Sequence, residues 1–413
     1  MPRTFTLGED DAVKAYHRGT HRTVAPETTL ARVEPLMGEM GITRIANVTG
    51  LDDIGVPVVM VCRPNSRSIS VSQGKGADLA AAKASGLMEA VETYHAERIT
   101  LPLKLASANE LRADHALIDV DRLPRAVDSR YHADLPILWI EGLDLVDDQP
   151  LWLPYELVHT NYTLPEPTGS GCFPANTNGL ASGNHVLEAT AHGIYEVIER
   201  DALTLWRLQD ATRVKRSLDR NSIDDPACLA LLDKFEKAGL DVMVWDVTSD
   251  VGVACFQCLL IGRDEDDTEP EFGAGCHPAR EVALLRALTE AAQARTTYIA
   301  GSRDDFSPGI YSTAARSLRR SACRELMARP CRSLAFGSIP SFNADSLAED
   351  IAWTLERLKK VGIDQVVAVD LTQPRFEIPV VRVVVPGLEG VFKDEQSDYV
   401  AGQRAKTAME RDA

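Results

Sequence analysis

Three helical stretches of this chain carry glutamates among the apolar residues of a core helix. In NHVLEATAHGIYEVIERDA, residues 184–202, Glu188, Glu196 and Glu199 are interspersed with Ile194, Val197 and Ile198, and Arg200 follows directly. An α-helix turns about 100° per residue, so Glu188 and Glu199 fall within about 20° of each other and Glu196 about 60° from Glu199. Upstream, Ser85, Glu89 and Glu92 are spaced i, i+4, i+7 on one stripe, beside Leu87, Met88 and Val91. A third stretch, ALTEAAQA, has the same cadence. Aligning GLMEAVET, GIYEVIER and ALTEAAQA stacks Glu89 on Glu196 on Glu290, and Glu92 on Glu199 on Gln293. That echo is weak in sequence and common among Ala-rich helices.

A carboxylate taken out of water is costly unless it is paired or binds a cation. Two readings follow. These glutamates either lie on solvated faces opposite Lys and Arg, or converge from separate helices on a metal. Hard oxygen ligands from several helices suit Mg²⁺, which usually arrives with substrate phosphates. The counter-charges for a Mg²⁺–nucleotide site would be single residues such as Arg22, Lys75, Arg200 or Arg295. The familiar phosphate loops are missing. SQGKGAD lacks the upstream glycine and the Ser/Thr of a P-loop, and no G-x-G-x-x-G follows a strand. An ATP site here must be of an unusual type.

Other chemistry is weakly signalled. Cys172 in GSGCFP has no histidine tied to it by motif, so a nucleophile loop is not expected there. Cys255 and Cys258 would need a second pair to hold zinc, and Cys276–His277 is the nearby candidate. The expectation is that both cysteines sit in an apolar strand.

The elements that must position the glutamates can be read from the pattern. A helix is expected over TTLARVEPLMGEM, strands at VPVVMVC and SISVS, and an Ala-rich helix from Asp78 to Arg98. PILWIEGLDLV and QPLWLPYELV read as a strand pair turning at DDQP, after a connector over 100–135. The Pro-, Gly-, Asn- and Ser-rich loop 165–184 feeds the central helix, and loops of that length are often functional. Beyond it come a helix (225–239), strands at DVMVWDV and GVACFQCLLIG, a long helix from Ala279 to about Ala300, and an irregular or helical stretch, 303–345. A helix (347–361) and the strands QVVAVDL and PVVRVVVPG follow. The fold class is α+β, with mixed or antiparallel sheets and long Ala-rich helices. One large domain (56–400) is expected, with an N-terminal extension (1–55) and a C-terminal tail (401–413).

The chain of 413 residues is 45% hydrophobic and 25% charged, which suits an ordinary globular core. Its net charge of −17 argues against a bulk electrostatic grip on nucleic acid or anionic membrane. The longest apolar runs are too short to span a bilayer, and MPRTFTLGED leads into no signal-peptide core. With eight scattered cysteines, a cytoplasmic protein is expected.

Taken together, the motifs resemble those of the YcaO family, ATP-using enzymes that modify peptide backbones. Ser85, Glu89 and Glu92 match its first motif, S-x-x-x-E-x-x-E. Asn184, Glu188, Glu196, Glu199 and Arg200 match its second, Glu290, Gln293 and Arg295 its third, and VVVPGLEG near the end is also similar. The resemblance implies that Glu89, Glu92, Glu196 and Glu199 hold Mg²⁺ ions bridging the ATP phosphates. Asn184 and Glu188 would complete the nucleotide site, and Arg295 would contact phosphate. Arg22 and Thr29 match, by spacing, an N-terminal Lys/Ser pair that contacts ATP. Two departures stand out: Thr93 occupies the place of a frequent Arg, and Ala181, beside Ser182, occupies that of a frequent Ser.

The stretch from Thr168 to Trp206 resembles the TfuA-associated, thioamide-forming branch, and GQRAKTAMERDA lacks the Pro-rich tail common in azoline-forming members. The implied activity is ATP-dependent thioamidation of a peptide or protein, with a TfuA-type partner mobilising sulfur. An azoline-forming cyclodehydratase and a nucleotide-binding accessory protein are the alternatives. With no attached peptide-binding domain in view, substrate recognition is expected to need a partner protein. A homodimer is expected by family analogy.

Overall fold

The computed structural model describes residues 11–208, 214–263, 269–390 and 399–410. The three glutamate helices each follow a short strand and pack back on it. β3 (Val71–Lys75) leads into α2 (Leu79–Glu97), β8 (Leu180–Ser182) into α4 (Val186–Leu208), and β12 (Glu271–Cys276) into α6 (Arg280–Ala300). The echo among the helices is therefore an echo of whole strand–helix units.

The first and third units match in detail. The Gln73 amide donates to Glu89 and the Ala274 amide to Glu290, each at 3.3 Å and across the same interval of 16 residues. Gly74 and Gly275 occupy equivalent places. A Cβ on Gly74 would stand 2.0 Å from the Ala82 carbonyl, and one on Gly275 2.1 Å from that of Ala283. Only glycine lets strand and helix approach so closely.

Three larger sheets carry these units. β1 (Arg44–Asn47), β2 (Val58–Cys62) and β3 form an antiparallel sheet under α1 (Pro26–Val33) and α2. The second sheet runs β4 (Leu103–Ala106), β6 (Ile137–Asp144), β14 (Val367–Asp370), β15 (Val380–Val384), β8, with β7 (Gln149–Pro154) on β6. The short α3 (Ala108–Leu111) and β5 (Arg125–Ala126) lie in the connector between β4 and β6. The third sheet runs β12, β11 (Cys255–Gly262), β10 (Leu240–Asp246), β9 (Lys215–Leu218), β13 (Cys331–Leu334); β13 pairs parallel to β9. α5 (Pro226–Lys237) packs beside α6, α7 (Thr313–Ala328) occupies the stretch that was hard to read, and α8 (Leu347–Lys360) packs on α4. The tail forms a small sheet with β5 through β16 (Tyr399–Val400) and ends in α9 (Gln403–Glu410), which docks on α4.

Local chemistry sets the helix ends. The Asp78 carboxylate accepts from the Ala81 amide to start α2, and Asp225 accepts from Cys228 ahead of Pro226 to start α5. Ser346 and Glu349 form a capping box on α8. α6 stops at Gly301, whose φ of 57° is left-handed. α4 is buried on most of its circumference, with Ile194, Val197, Ile198, Leu203 and Trp206 all in core contact. Its glutamates are therefore held in place by packing.

Candidate functional site

The three helices bring Glu89, Glu92, Glu196, Glu199 and Glu290 into one acidic cluster, crosslinked between units. Lys75 of β3 reaches Glu290 of α6 at 2.9 Å. Ser182 of β8, at the equivalent strand end, donates from its amide (2.8 Å) and its hydroxyl (2.7 Å) to Glu92 of α2. Gln293 donates to Gln73 at 3.3 Å, tying α6 to β3 again. Arg200 lies 3.6 Å from Glu196 and 3.5 Å from Glu199. Glu89 and Glu92 take part in no ion pair among the described residues.

The carboxylates feel one another. Burial raises Glu89 to about 7 and Glu196 above its ordinary range; each is raised further by an acidic neighbour, Glu89 by Glu196 and Glu196 by Glu290. Burial and then Glu89 and Glu196 lift Glu92 to about 8, against the hydrogen bonds from Ser182. Burial and Glu290 bring Glu199 to about 7, although Arg200 pulls it down. Burial also raises Glu290, but Lys75 and Arg200 outweigh it and leave that carboxyl low. The cluster is enclosed by protein yet reached by water, since the side chains of Glu196, Arg200 and Glu290 keep 18%, 29% and 30% exposure. Such a set of hard oxygen donors facing one another is short of positive charge, and divalent Mg²⁺ fits it.

A second constellation sits where α4 begins. Glu188 accepts from the Thr23 amide (2.9 Å) and hydroxyl (2.8 Å), and from Asn184 Nδ2 at 3.1 Å; Arg22 stands 3.6 Å away. Thr29 donates to Asn184 Oδ1 at 2.9 Å. Arg22, Thr29, Asn184 and Glu188 are thus one assembly. By helix rise, Glu188 lies about 12 Å along α4 from Glu196. That is a span on the scale of a nucleotide.

Ser85 and Arg295 make no hydrogen bond to either constellation among the described residues. Ser85 is exposed on α2, one turn before Glu89. Arg295 is buried and bound to Asp52 at 2.8 Å, so its guanidinium is already engaged.

Several residues near the cluster escaped the sequence reading. Arg286 and Arg382 both bear on Glu196 electrostatically, and Arg303 bears on Glu89. Arg286 precedes Glu290 by one helical turn, and Arg382 is a lone charge inside the apolar run VVRVV. Both were visible signals. The two departures from the motifs are also accommodated. Thr93 accepts a 3.0 Å hydrogen bond from Arg63 of the β2–β3 connection, which pairs with Glu97 at 2.6 Å, so an arginine arrives from another element. The hydroxyl missing at Ala181 is supplied next door by Ser182.

The cysteines singled out in the sequence, Cys172, Cys255, Cys258 and Cys276, are all buried. Cys255 pairs across strands with Cys276, while Cys258 packs into a different core cluster, so the two point to opposite faces. Cys172 is buried, and burial and Glu156 raise its thiol pKa. His21, His277 and Asp350 form a buried trio with ligand atoms within 4.8 Å of one another. Lys14 already supplies a cation there, 2.7 Å from Asp350 and fully buried.

Comparison with known proteins gives concordant results. Residues 73–389 match the family model described as YcaO cyclodehydratase, ATP- and Mg²⁺-binding. The chain is 38% identical over 385 residues to an uncharacterized protein in the tfuA 3′ region of Rhizobium leguminosarum bv. trifolii, covering 91% of this chain and 90% of that protein. It is 35% identical over 402 residues to an uncharacterized protein of Methanothermobacter thermautotrophicus, covering 94% and 99%. Among solved structures, it is similar to YcaO from Methanopyrus kandleri bound with AMPPCP and Mg²⁺, with a TM-score of 0.76, 23% identity and coverage of 95% and 99%. A heterocyclase in complex with substrate and cofactor has the same TM-score and identity, over 90% of this chain and 54% of that one.

Proposed function

From the premise that the chain belongs to the YcaO family, described as ATP- and Mg²⁺-binding, we propose that it activates a backbone amide of a peptide or protein and that its product is a thioamide. The observation that carries the first half is the acidic cluster. Carboxylates from α2, α4 and α6 face one another, and two of them, Glu89 and Glu92, take part in no close ion pair among the described residues. The relative in a tfuA 3′ region supports the second half, with a TfuA-type protein as the sulfur-delivering partner.

Glu89, Glu92, Glu196 and Glu199 would hold Mg²⁺, with Glu290 and Gln293 at the edge of the same cleft. Arg22, Thr29, Asn184 and Glu188 would hold the nucleotide at the start of α4. Lys75 and Arg200 sit on carboxylates, where they limit the cluster's net charge and stand ready for phosphate oxygens. When bound, ATP supplies a phosphoryl group that converts the amide oxygen into a leaving group. The chain's own contribution is positioning and electrostatic stabilisation, which dominate catalysis of phosphoryl transfer. No side chain is assigned as a base.

The deciding experiment combines the purified protein with Mg²⁺, ATP, sulfide, a TfuA-type partner and a candidate peptide, followed by mass spectrometry. A mass gain of sulfur minus oxygen selects thioamidation. The family description as cyclodehydratase favours a second reading, azoline formation, which the loss of one water would select. Nucleotide binding without peptide-dependent phosphate release would instead make the protein an accessory factor. Family likeness also implies a homodimer, testable by light scattering. Among the described residues no helix is long and apolar enough to cross a membrane.

A further inference from the structure

Arg382 is a buried cation whose hydrogen-bonding capacity is largely unspent. It lies in β15 opposite Leu180 of β8, the strand that feeds α4, and it is 2% exposed. Its Nη2 donates to the carbonyl (2.9 Å) and Oδ1 (3.3 Å) of Asn176. Its Nε and Nη1 are buried and donate to nothing. His159, on which Arg382 acts electrostatically, also has an unmet Nε2. A buried guanidinium with idle donors and no bound carboxylate is unfavourable unless something else uses it.

Its place in the fold narrows what that could be. Arg382 acts on Glu196 electrostatically and is bonded to Asn176 of the loop that runs from Asn161 to Gly179. The nucleotide-side assembly around Glu188 is built instead from the N-terminal segment and the start of α4. Asn176 belongs to the loop, so its contact with Nη2 holds the loop down over the guanidinium.

We propose that Arg382 is a catalytic residue that meets the peptide, donating from Nε, and from Nη2 once Asn176 releases it, to the amide oxygen as that oxygen becomes negative. This rests on the amide-activation reading above. In the step concerned, hydrosulfide adds to the carbonyl carbon and a C–S bond forms. The C=O π pair moves onto oxygen, and no proton is transferred. The Nε–H and the adjacent Nη2–H run parallel, so both can reach one oxyanion, and such donors act with little reorganisation in a dry site. The peptide reaches them when the 161–179 loop lifts and Asn176 releases Nη2.

The test uses Arg382→Lys, which keeps the buried charge but loses the paired donors, alongside Arg382→Gln. Mg²⁺-ATP binding is measured by calorimetry, and peptide-dependent phosphate release is measured with sulfide and the TfuA-type partner. Arg382→Lys should bind Mg²⁺-ATP within about threefold of wild type and lose about a hundredfold or more in peptide-dependent release. Near-normal release by either variant overturns the proposal and leaves amide activation standing. So does loss of ATP binding, which would move the guanidinium to the phosphates, and so does failure of both variants to fold. Wild-type protein without peptide-dependent release removes the amide-activation reading itself, and this proposal with it.

Discussion

Glu92 of α2 accepts both the amide and the hydroxyl of Ser182 of β8, so two strand–helix units share one carboxylate. The bond favours the charged form of a group that burial nevertheless raises to about 8. Removing the hydroxyl forfeits a hydrogen bond to a charged group, worth about 1.5–3 kcal/mol. Ser182→Ala should therefore require more Mg²⁺ for half-maximal ATP turnover at pH 7, with the gap narrower at pH 9. Ser182→Thr should restore it. Mg²⁺ titrations of phosphate release at the two pH values check this, and equal midpoints would remove Glu92 from the metal site.

Metal removal should reverse the pH dependence of stability. Glu89, Glu92 and Glu199 rise from 4.5 to about 7, 8 and 7 in the folded protein. Between pH 4.5 and 8 the folded state then holds more protons than the unfolded chain, so stability falls as pH rises. In EDTA the Tm should drop between pH 6 and pH 8. Saturating Mg²⁺, which binds the ionised carboxylates, should flatten or invert that drop and release protons on binding. Scanning calorimetry in both conditions, with Mg²⁺ titrations in buffers of different ionisation enthalpy, measures both effects.

Glu199→Gln should abolish ATP turnover, by about a hundredfold or more, without unfolding the protein. A neutral amide preserves shape but cannot replace a charged metal ligand. Glu199 is raised by burial and Glu290, so losing its charge should leave the metal-free Tm unchanged or higher. Phosphate release and the Tm in EDTA are the measurements. Wild-type turnover would refute the assignment.

The glutamate helices were legible because charge inside an apolar 3.6-residue period is conspicuous. Of the strands that aim them, SISVS reports β3 only in part, and the other two were not legible. β8 is three residues long, and β12 reads EFGAGC, where Gly275 exists to admit the Ala283 carbonyl rather than to favour a strand. Without those strands the echo among three helices stayed a resemblance of composition. Arg295 shows the opposite gap. Its spacing marks it as a phosphate contact, but its partner Asp52 lies 243 residues away in sequence, and no local pattern reports such a pairing. Arg382 was in plain view as a charge within VVRVV, and only the sheet reveals that it borders Glu196.

The Arg295–Asp52 pair yields a stability prediction. Both side chains are nearly sealed, at 10% and 4% exposure. Removing one partner leaves a buried charge uncompensated, at a cost of about 3–5 kcal/mol. Arg295→Met should lower the Tm markedly while the folded fraction keeps its KM for ATP. The double variant Asp52→Asn/Arg295→Met should recover much of the loss. A large rise in KM with an unchanged Tm would return Arg295 to the phosphate-binding role its motif suggests.

The N-terminal segment should act as a strap for the nucleotide assembly. Lys14 is fully buried against Asp350 of α8 at 2.7 Å, and the backbone around it pairs Val13 with Ser346. Eight residues on, Arg22 bridges back to Tyr16, and Thr23 caps the Glu188 carboxylate. The strap's ring contacts run from His21 to His277 and on to Tyr195, the residue before Glu196. Lys14→Met leaves Asp350 buried without its cation and should loosen that anchor. Because Thr23 and Arg22 meet Glu188 and not the acidic cluster, the KM for ATP should rise more than kcat falls. Proteolysis within residues 11–23 should accelerate, and saturating Mg²⁺-ATP should slow it again. If KM and cleavage rate both stayed at wild-type values, the strap would have no part in holding nucleotide, and Glu188 would be organised by Asn184 alone.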